Sequence, residues 1–414
     1  MFGAATTALL GLLFVLSLLT RQAPLFLLTL ALLLAAGLSR LWDRYCLVGL
    51  SYRRSFNRRV VEFGAVVELE IEVVNRKLLP LAWLEIEDEV PRSLTGWPSS
   101  TIPSHRAGRL LLRNLLALRP YERVRRHYPV QCIARGEHVF GPARLRTGDL
   151  FGLIARELDL EPLDTIVVYP RVVPVTSLGL PAYQPLGDLK TASWLFEDPS
   201  RLAGVREYRP QDSLRRIHWA ASARSQRLQV KIYEPTTTHR FVVFLNLHTT
   251  ADWWGFAYDP DALELAITTA ASLASWAVER GYQVGLETNG MHRYGSRMVR
   301  VASAGDSEQL ARILEALGRL QPFAVTAFAT TVAEGVRRLP YGTTIVAVSA
   351  VLAPEVAAEL IAARRRGHPV AVVLTGTVAV PDSLDGIAIR RVGPPGAWRT
   401  LAEISVEAAE VGRR

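Results

Sequence analysis

The chain has 414 residues, 49% of them hydrophobic, which is enough for two or three domains with cores of their own. Its formal charge of +9 is carried almost wholly by arginine, since Lys77, Lys190 and Lys231 are the only lysines. No run of five basic residues and no zinc-finger or RNA-recognition pattern accompanies that charge, which argues against nucleic acid as a partner. Cys46 and Cys132 lack C-x-x-C spacing and read as two buried thiols that fix no redox compartment.

In chain order, Ala4–Thr20 and Pro24–Ser39 are two uncharged apolar blocks joined by Arg21, Gln22 and Ala23. Each is near the lower length limit for a membrane-spanning helix, about 17 residues. Pro24 suits a first helical turn, where a missing N–H costs nothing. The pair predicts a transmembrane helical hairpin over residues 1–45. A cleaved signal peptide would want a basic start and a soluble continuation, and neither is present. Arg40, Arg44, Arg53, Arg54, Arg58 and Arg59 follow the second block closely, whereas the turn carries only Arg21. By the positive-inside rule the long C-terminal region is expected in the cytoplasm of a two-pass inner-membrane protein. Arg40 and Arg44, with Trp42 and Tyr45, are also expected at the lipid interface, and the basic cluster near anionic headgroups.

Val67 to Val73 alternates Val67, Leu69, Ile71 and Val73 with Glu68, Glu70 and Glu72, the period of a half-buried strand. Leu84–Glu87 repeats the pattern. Arg109–Leu118, Arg125–Ala134 and Thr165–Tyr169 are further candidate strands, separated by turns such as Arg135-Gly136 and Gly141-Pro142. Short strands at this spacing predict an immunoglobulin-like β-sandwich over residues 46–172, with the glutamates on a solvated face.

Residues 173–238 contain the most distinctive stretch, GVREYRPQDSLRRIHWAASARSQRLQVKIYE from Gly204 to Glu234. It predicts a turn entering a short helix over Leu214–Ser222, with Asp212 or Ser213 as N-cap. Arg206, Arg215, Arg216, Arg224 and Arg227 gather near Glu207, Asp212 and Glu234. Two readings stand: a docking site for a carboxylate, a phosphate or an acidic segment, to which arginine is suited, or an internal ion-pair network. Trp219 reads as a packing residue, and a lone His218 is no sign of catalysis.

Residues 239–414 alternate strand and helix. Strands are predicted at Phe241–Leu247, Tyr282–Glu287, Arg297–Ala302, Thr344–Ser349, Val370–Leu374 and Ile387–Val392, and helices at Pro260–Arg280, Ser307–Leu320 and Pro354–Arg366. That order indicates a Rossmann-like, doubly wound α/β domain.

The segment from Gly204 strongly resembles the defining motif of the domain of unknown function 58 family, through Arg206, Glu207, Tyr208, Pro210, Asp212, Arg215, Ile217, Trp219, Ala223, Arg224 and Leu228. Gln211 stands where a glycine is usual. Asn75–Glu85 and Arg135–Leu153 resemble upstream segments of the same family, with Asp149-Leu150-Phe151-Gly152 in place of D-P-F-G. The resemblance implies a von Willebrand factor A-like C-terminal domain. Such domains often hold a divalent cation through D-x-S-x-S. Here the stretch is Asn246-Leu247-His248-Thr249-Thr250, so the expected site is degenerate at Asn246, His248 and Thr250, with Asp252 and Asp259 as partial substitutes. Magnesium prefers oxygen ligands that include carboxylates, so no bound metal and no cofactor are expected. No nucleotide-binding loop, H-E-x-x-H or G-x-S-x-G motif occurs, and no catalytic residue is nominated.

Three functions follow as expectations. The resemblance implies a membrane-anchored assembly or interaction factor, whose relatives are associated with MoxR-type AAA+ ATPases and with membrane proteins. A membrane-associated hydrolase using the arginines to bind an anionic substrate is the second, and a structural scaffold the third.

Overall fold

A computed structural model describes residues 4–148, 155–177, 197–209, 212, 216–235, 240–250, 258–293, 295, 297–376, 384, 386–405 and 407–408. The chain divides into two compact units, Met1–Val168 and Tyr169–Arg414.

The first unit opens with helices Ala4–Leu19 and Ala23–Tyr45, which touch through the rings of Phe14 and Phe26 at 5.2 Å. Ala23–Tyr45, with 23 residues, is long and apolar enough to cross a bilayer; Ala4–Leu19 is a shorter apolar helix of 16 residues. Pro24 lies in the first turn, as its missing N–H favours. Trp42, expected to face lipid headgroups, is instead covered by protein: with Cys46 it is buried in the same apolar cluster as Val67, Leu69, Leu84 and Leu112, so the helix runs directly into the core of the β-structure. The helix–sandwich boundary drawn at residue 45/46 therefore falls between two residues of one core.

That β-structure packs a three-stranded sheet (Leu50–Phe56, Val66–Asn75, Arg123–Gln131) against a five-stranded one built on Leu81–Pro91, Arg109–Leu118, Ala143–Gly148 and Ala155–Leu160, with Ile102–Pro103 at its edge. A small third sheet, Val60–Val61, Asp164–Val168 and Gly136–Phe140, adds Val61, Phe140, Ile166 and Val168 to the same core. Val67, Leu69, Ile71 and Val73 all point inward, as their alternation requires. Two of the intervening glutamates, Glu70 and Glu72, face arginines on the neighbouring strand. Glu72 pairs with Arg125 at 2.7 Å and Arg123 at 3.8 Å, and Glu70 with Arg125 at 3.4 Å. The solvated stripe is thus one half of a cross-strand ladder of opposite charges.

In the second unit a mostly parallel eight-stranded sheet carries helices on both faces. Strand Arg240–Leu245 is central, with Gln283–His292 parallel on one side and Thr344–Ser349 parallel on the other. Phe241 turns its ring toward Trp276 of helix Pro260–Glu279. Val242 and Phe244 pack with helices Phe328–Arg338 and Pro354–Arg365 on the opposite face. Helix Phe328–Arg338 and strand Leu320–Ala324 had no counterpart in the pattern reading. Residues 171–177 also join this unit. Val175–Ser177 pairs with Ile404–Ser405, and the Val173 N–H donates to Ser272 Oγ at 3.0 Å.

Candidate functional site

Two places inherit the residues singled out from the sequence. The first is the signature segment. Its frame is the antiparallel pair Glu197–Glu207 and Gln229–Pro235, and Ile217 forms an isolated bridge with Val230. That bridge keeps residue 217 extended, so the helix begins later than its periodicity suggests, at Trp219, and runs to Ser225. Asp212 is accordingly not its N-cap. His218 takes that place, its Nδ1 accepting from the Ala221 N–H at 3.1 Å. Ser222, buried, ties the helix down: its hydroxyl donates to the His218 carbonyl at 3.0 Å and accepts from the Gln229 N–H at 2.8 Å.

Asp212 instead closes a turn and clamps an arginine. It accepts from the Arg209 N–H at 2.8 Å, and both terminal nitrogens of Arg206 donate to it at 2.6 and 2.5 Å. This fork geometry is strong because both partners are charged. The Arg206 guanidinium and the Arg209 amide hold the Asp212 carboxyl well below the usual carboxylate range, at about 2. Arg227 pairs with Glu207 at 3.4 Å between two exposed side chains, and the Tyr208 N–H donates to the Leu228 carbonyl at 2.8 Å.

The remaining residues point outward. Trp219 is 70% exposed, so it is a surface residue and not the packing residue expected. Arg216, Arg224 and Leu228 are exposed nearby in sequence. Arg215, together with Pro210, Gln211, Ser213 and Leu214, lies outside the described residues. The segment thus contains ion pairs within itself, Arg206–Asp212 and the exposed Arg227–Glu207, and an outward aromatic and cationic surface that includes Trp219 and Arg224.

The second place is the C-terminal end of strand Arg240–Leu245. The chain leaves this strand first to one neighbour and later to the other, a topological switch point at whose carboxyl end open sheets of this kind bind ligands. Asn246 occupies that end. Its Nδ2 donates to Ser349 Oγ at 2.9 Å, across to the Thr344–Ser349 strand, and its Oδ1 accepts from the His248 N–H at 3.0 Å and from Asn289 Nδ2 at 3.0 Å. Asn289 also accepts from the Leu247 N–H at 2.9 Å and reaches the Thr326 carbonyl at 3.3 Å. Burial pushes the His248 imidazole below its ordinary value, toward the neutral form. Asp259 does not substitute for a missing carboxylate. Its Oδ1 caps helix Pro260–Glu279 through the Asp261 and Ala262 N–H groups, and its own N–H donates to Thr249 Oγ1 at 2.8 Å. Thr250 is half-buried beside these groups in the chain, and Asp252 lies outside the described residues. The donors gathered here are amides and a hydroxyl bonded to one another, a neutral set poorly matched to a hard divalent cation. Among the described residues no cluster of three or more His, Cys, Asp and Glu side chains forms a metal site. Asn289 was not marked by the sequence reading, because its distance along the chain from Asn246 hides a contact made only across parallel strands.

A cavity of about 450 Å³ lies on this sheet around Glu287, Arg300, Met298, Thr331 and Arg338, and Thr326, whose carbonyl Asn289 reaches, is part of its lining. Glu287 bridges Arg300 at 2.7 Å and Arg338 at 3.3 Å, which satisfies the carboxylate within the fold.

With this geometry in place, comparison with known proteins is informative over the C-terminal half. Residues 204–380 match the family model described as Protein of unknown function DUF58. The uncharacterized protein YeaD of Bacillus subtilis is 26% identical over 245 residues. The match covers 59% of this chain, and the chain spans 57% of that relative's length. Among solved structures, the CARDB domain of the PF1109 protein from Pyrococcus furiosus matches 29% of this chain and 91% of its own, at 12% identity and a TM-score of 0.21. A cohesin module from a Clostridium perfringens glycoside hydrolase matches 28% of this chain and 96% of its own, at 12% identity and a TM-score of 0.19. Likenesses at that level bear on neither site.

Proposed function

We propose that this protein is a membrane-tethered interaction factor whose DUF58 signature segment docks a protein partner. The single observation that carries the reading is the exposed Trp219, at the start of a short helix that also presents Arg224 to solvent, with Arg216 exposed just before it. Tryptophan and arginine dominate the energetics of protein interfaces, and a large indole in water is a cost that a partner would relieve. The segment's other charges support the same division of labour. Arg206 and Arg227 are held by Asp212 and Glu207, which fixes the loop and leaves the outer face for recognition.

Helix Ala23–Tyr45 and the shorter helix before it form a two-pass anchor in this reading, with the arginine-rich side and the large C-terminal region in the cytoplasm. A cytosolic ATPase of the MoxR type is then the leading partner, in line with the family resemblance. The C-terminal unit is read as a von Willebrand factor A-type domain. Its central strand followed by neighbours on either side supports this, with the cation position replaced by the Asn246–Asn289–Ser349 amide lock.

The test is a crosslinking pull-down of the full chain from its native membrane, comparing wild type with Trp219→Ala/Arg224→Ala. Thermal melting of both purified forms reports whether the variant is folded. Docking predicts that wild type recovers an AAA+ ATPase and the folded variant loses at least tenfold of it. Equal recovery by both forms would show that this face is not the docking surface.

A further inference from the structure

We infer that the end of the β-sandwich where helix Ala23–Tyr45 enters is a lipid-contacting foot, seated in the phospholipid headgroup layer and selective for anionic headgroups. The inference rests on the membrane-anchor reading and goes beyond it, because an anchor alone leaves the attached domain free of the surface.

Three chain segments meet at this end: Tyr45–Gly49 behind the helix, the Arg76–Pro80 loop and the Arg119–Tyr121 turn. They are joined as one body. The Arg76 N–H donates to the Gly49 carbonyl at 2.9 Å, and the Tyr121 N–H to the Lys77 carbonyl at 3.3 Å. The Lys77 ammonium donates to the Cys46 carbonyl and, at 2.9 Å, to the Val48 carbonyl, capping the helix end with a cation where its dipole is negative. Asn75 completes the junction, its Nδ2 donating to the Leu79 carbonyl at 3.0 Å and the Arg119 carbonyl at 2.9 Å.

This braced end displays large apolar side chains. Leu78, Tyr121 and Val48 are 74, 68 and 60% exposed. Arg44, Arg76 and Arg119 are exposed among them, and Arg44 lies over the Tyr45 ring at 5.9 Å. Aliphatic and tyrosine side chains mixed with arginine match the headgroup region, where amphipathic rings and cations are both favoured.

The dimensions agree. A hydrocarbon core of about 30 Å takes roughly 20 helical residues at about 1.5 Å each, which from Ala23 reaches Trp42. Cys46 to Val48 then lies roughly 6–9 Å farther on, at the depth of the headgroups. Because Trp42 and Cys46 are embedded in the sandwich core, the domain has no slack with which to lift away.

The test uses the full chain in vesicles of phosphatidylcholine containing one-third phosphatidylglycerol. Single cysteines replace Leu78, Tyr121, His105 at the far end of the strand Arg109–Leu118, and Leu34 in the helix, and each is labelled with an environment-sensitive fluorophore. Both native cysteines are buried and stay unlabelled in the folded protein. A headgroup-attached nitroxide is expected to quench the labels at 78 and 121 several-fold more than the label at 105, and replacing phosphatidylglycerol with phosphatidylcholine is expected to weaken that quenching. An acyl-chain nitroxide is expected to quench the label at 34. If the label at 34 is quenched but those at 78 and 121 match 105, the anchor stands and the foot is overturned. If the label at 34 is also unquenched, the anchor reading fails and takes this inference with it.

Discussion

A single buried arginine organises one end of the β-sandwich. Arg54, in the strand that follows the helix, pairs with the fully buried Asp88 at 2.7 Å and with Asp164 at 3.2 Å. Tyr52 donates its hydroxyl to the other Asp88 oxygen at 2.5 Å. Gly141 permits this: a Cβ there would lie 2.5 Å from an Arg54 nitrogen, and its φ of +90° disfavours any other residue. Breaking a buried pair strands the remaining charge, so Arg54→Ala is expected to cost about 3–5 kcal/mol, read by chemical denaturation. The same pair makes stability depend on pH. Burial outweighs the help of Arg54 and Tyr52 and raises the Asp88 carboxyl to about 6. The folded form therefore holds its proton more tightly than the unfolded chain does. That contribution is full below about pH 4 and is lost as pH rises through about 6. Wild-type stability should fall across this window, and Asp88→Asn should flatten the profile. A wild-type profile that rises instead would show that the ionised pair is the favoured state. Asp88 sits one period beyond the alternating Leu84–Glu87 run and was not marked from sequence, since the pattern gives a strand but not which of its polar residues lies under the adjoining sheet.

Among elements, the seven-residue helix Trp219–Ser225 is the one most dependent on its ends. A helix this short has little intrinsic stability and relies on caps and tethers. His218 supplies the first cap and Ser222 the tether, while Gln226 ends the helix in the left-handed region at φ 51°. A residue with a Cβ there is strained by about 1 kcal/mol relative to glycine. Gln226→Gly should therefore slow amide exchange across Ala221–Ser225 by a few-fold, while His218→Ala should accelerate it by removing a cap worth about 1 kcal/mol. If neither change alters exchange, the helix is held by the hairpin alone. The existence of a helix here was legible from the sequence. Its start was misplaced toward Asp212, because the bridge between Ile217 and Val230 and the Arg206–Asp212 fork are contacts between chain segments that no local pattern reveals.

For the whole molecule, the joining of the apolar helix Ala23–Tyr45 and the sandwich matters most. Trp42 and Cys46 belong to the sandwich core, and Arg156 reaches back to pair with Asp43 through two nitrogens. A chain beginning at Cys46 would lose the Trp42 side chain from that core and should be about 3–5 kcal/mol less stable than one beginning at Ser39. Denaturant unfolding of the two truncated proteins checks this. Equal stability would mean that the helix end merely rests against the sandwich.

The sequence by itself determined the elements that rest on near-neighbour physics: the apolar N-terminal helices, the alternating strands of the sandwich, and the strand–helix alternation of the C-terminal unit. It also singled out the signature, because unusual spacing of arginine, tryptophan and aspartate survives without any fold. Only the tertiary structure decided which charges are spent internally and which face outward. It placed Trp219 at the surface, turned Asp212 into an arginine clamp, and locked Asn246 with Asn289 and Ser349 across parallel strands. It also drew Trp42 out of an expected lipid interface into a protein core. The physical reason is common to all four. Hydrophobic periodicity is written within a dozen neighbouring residues, whereas burial and pairing are settled by segments that meet only after the chain has folded.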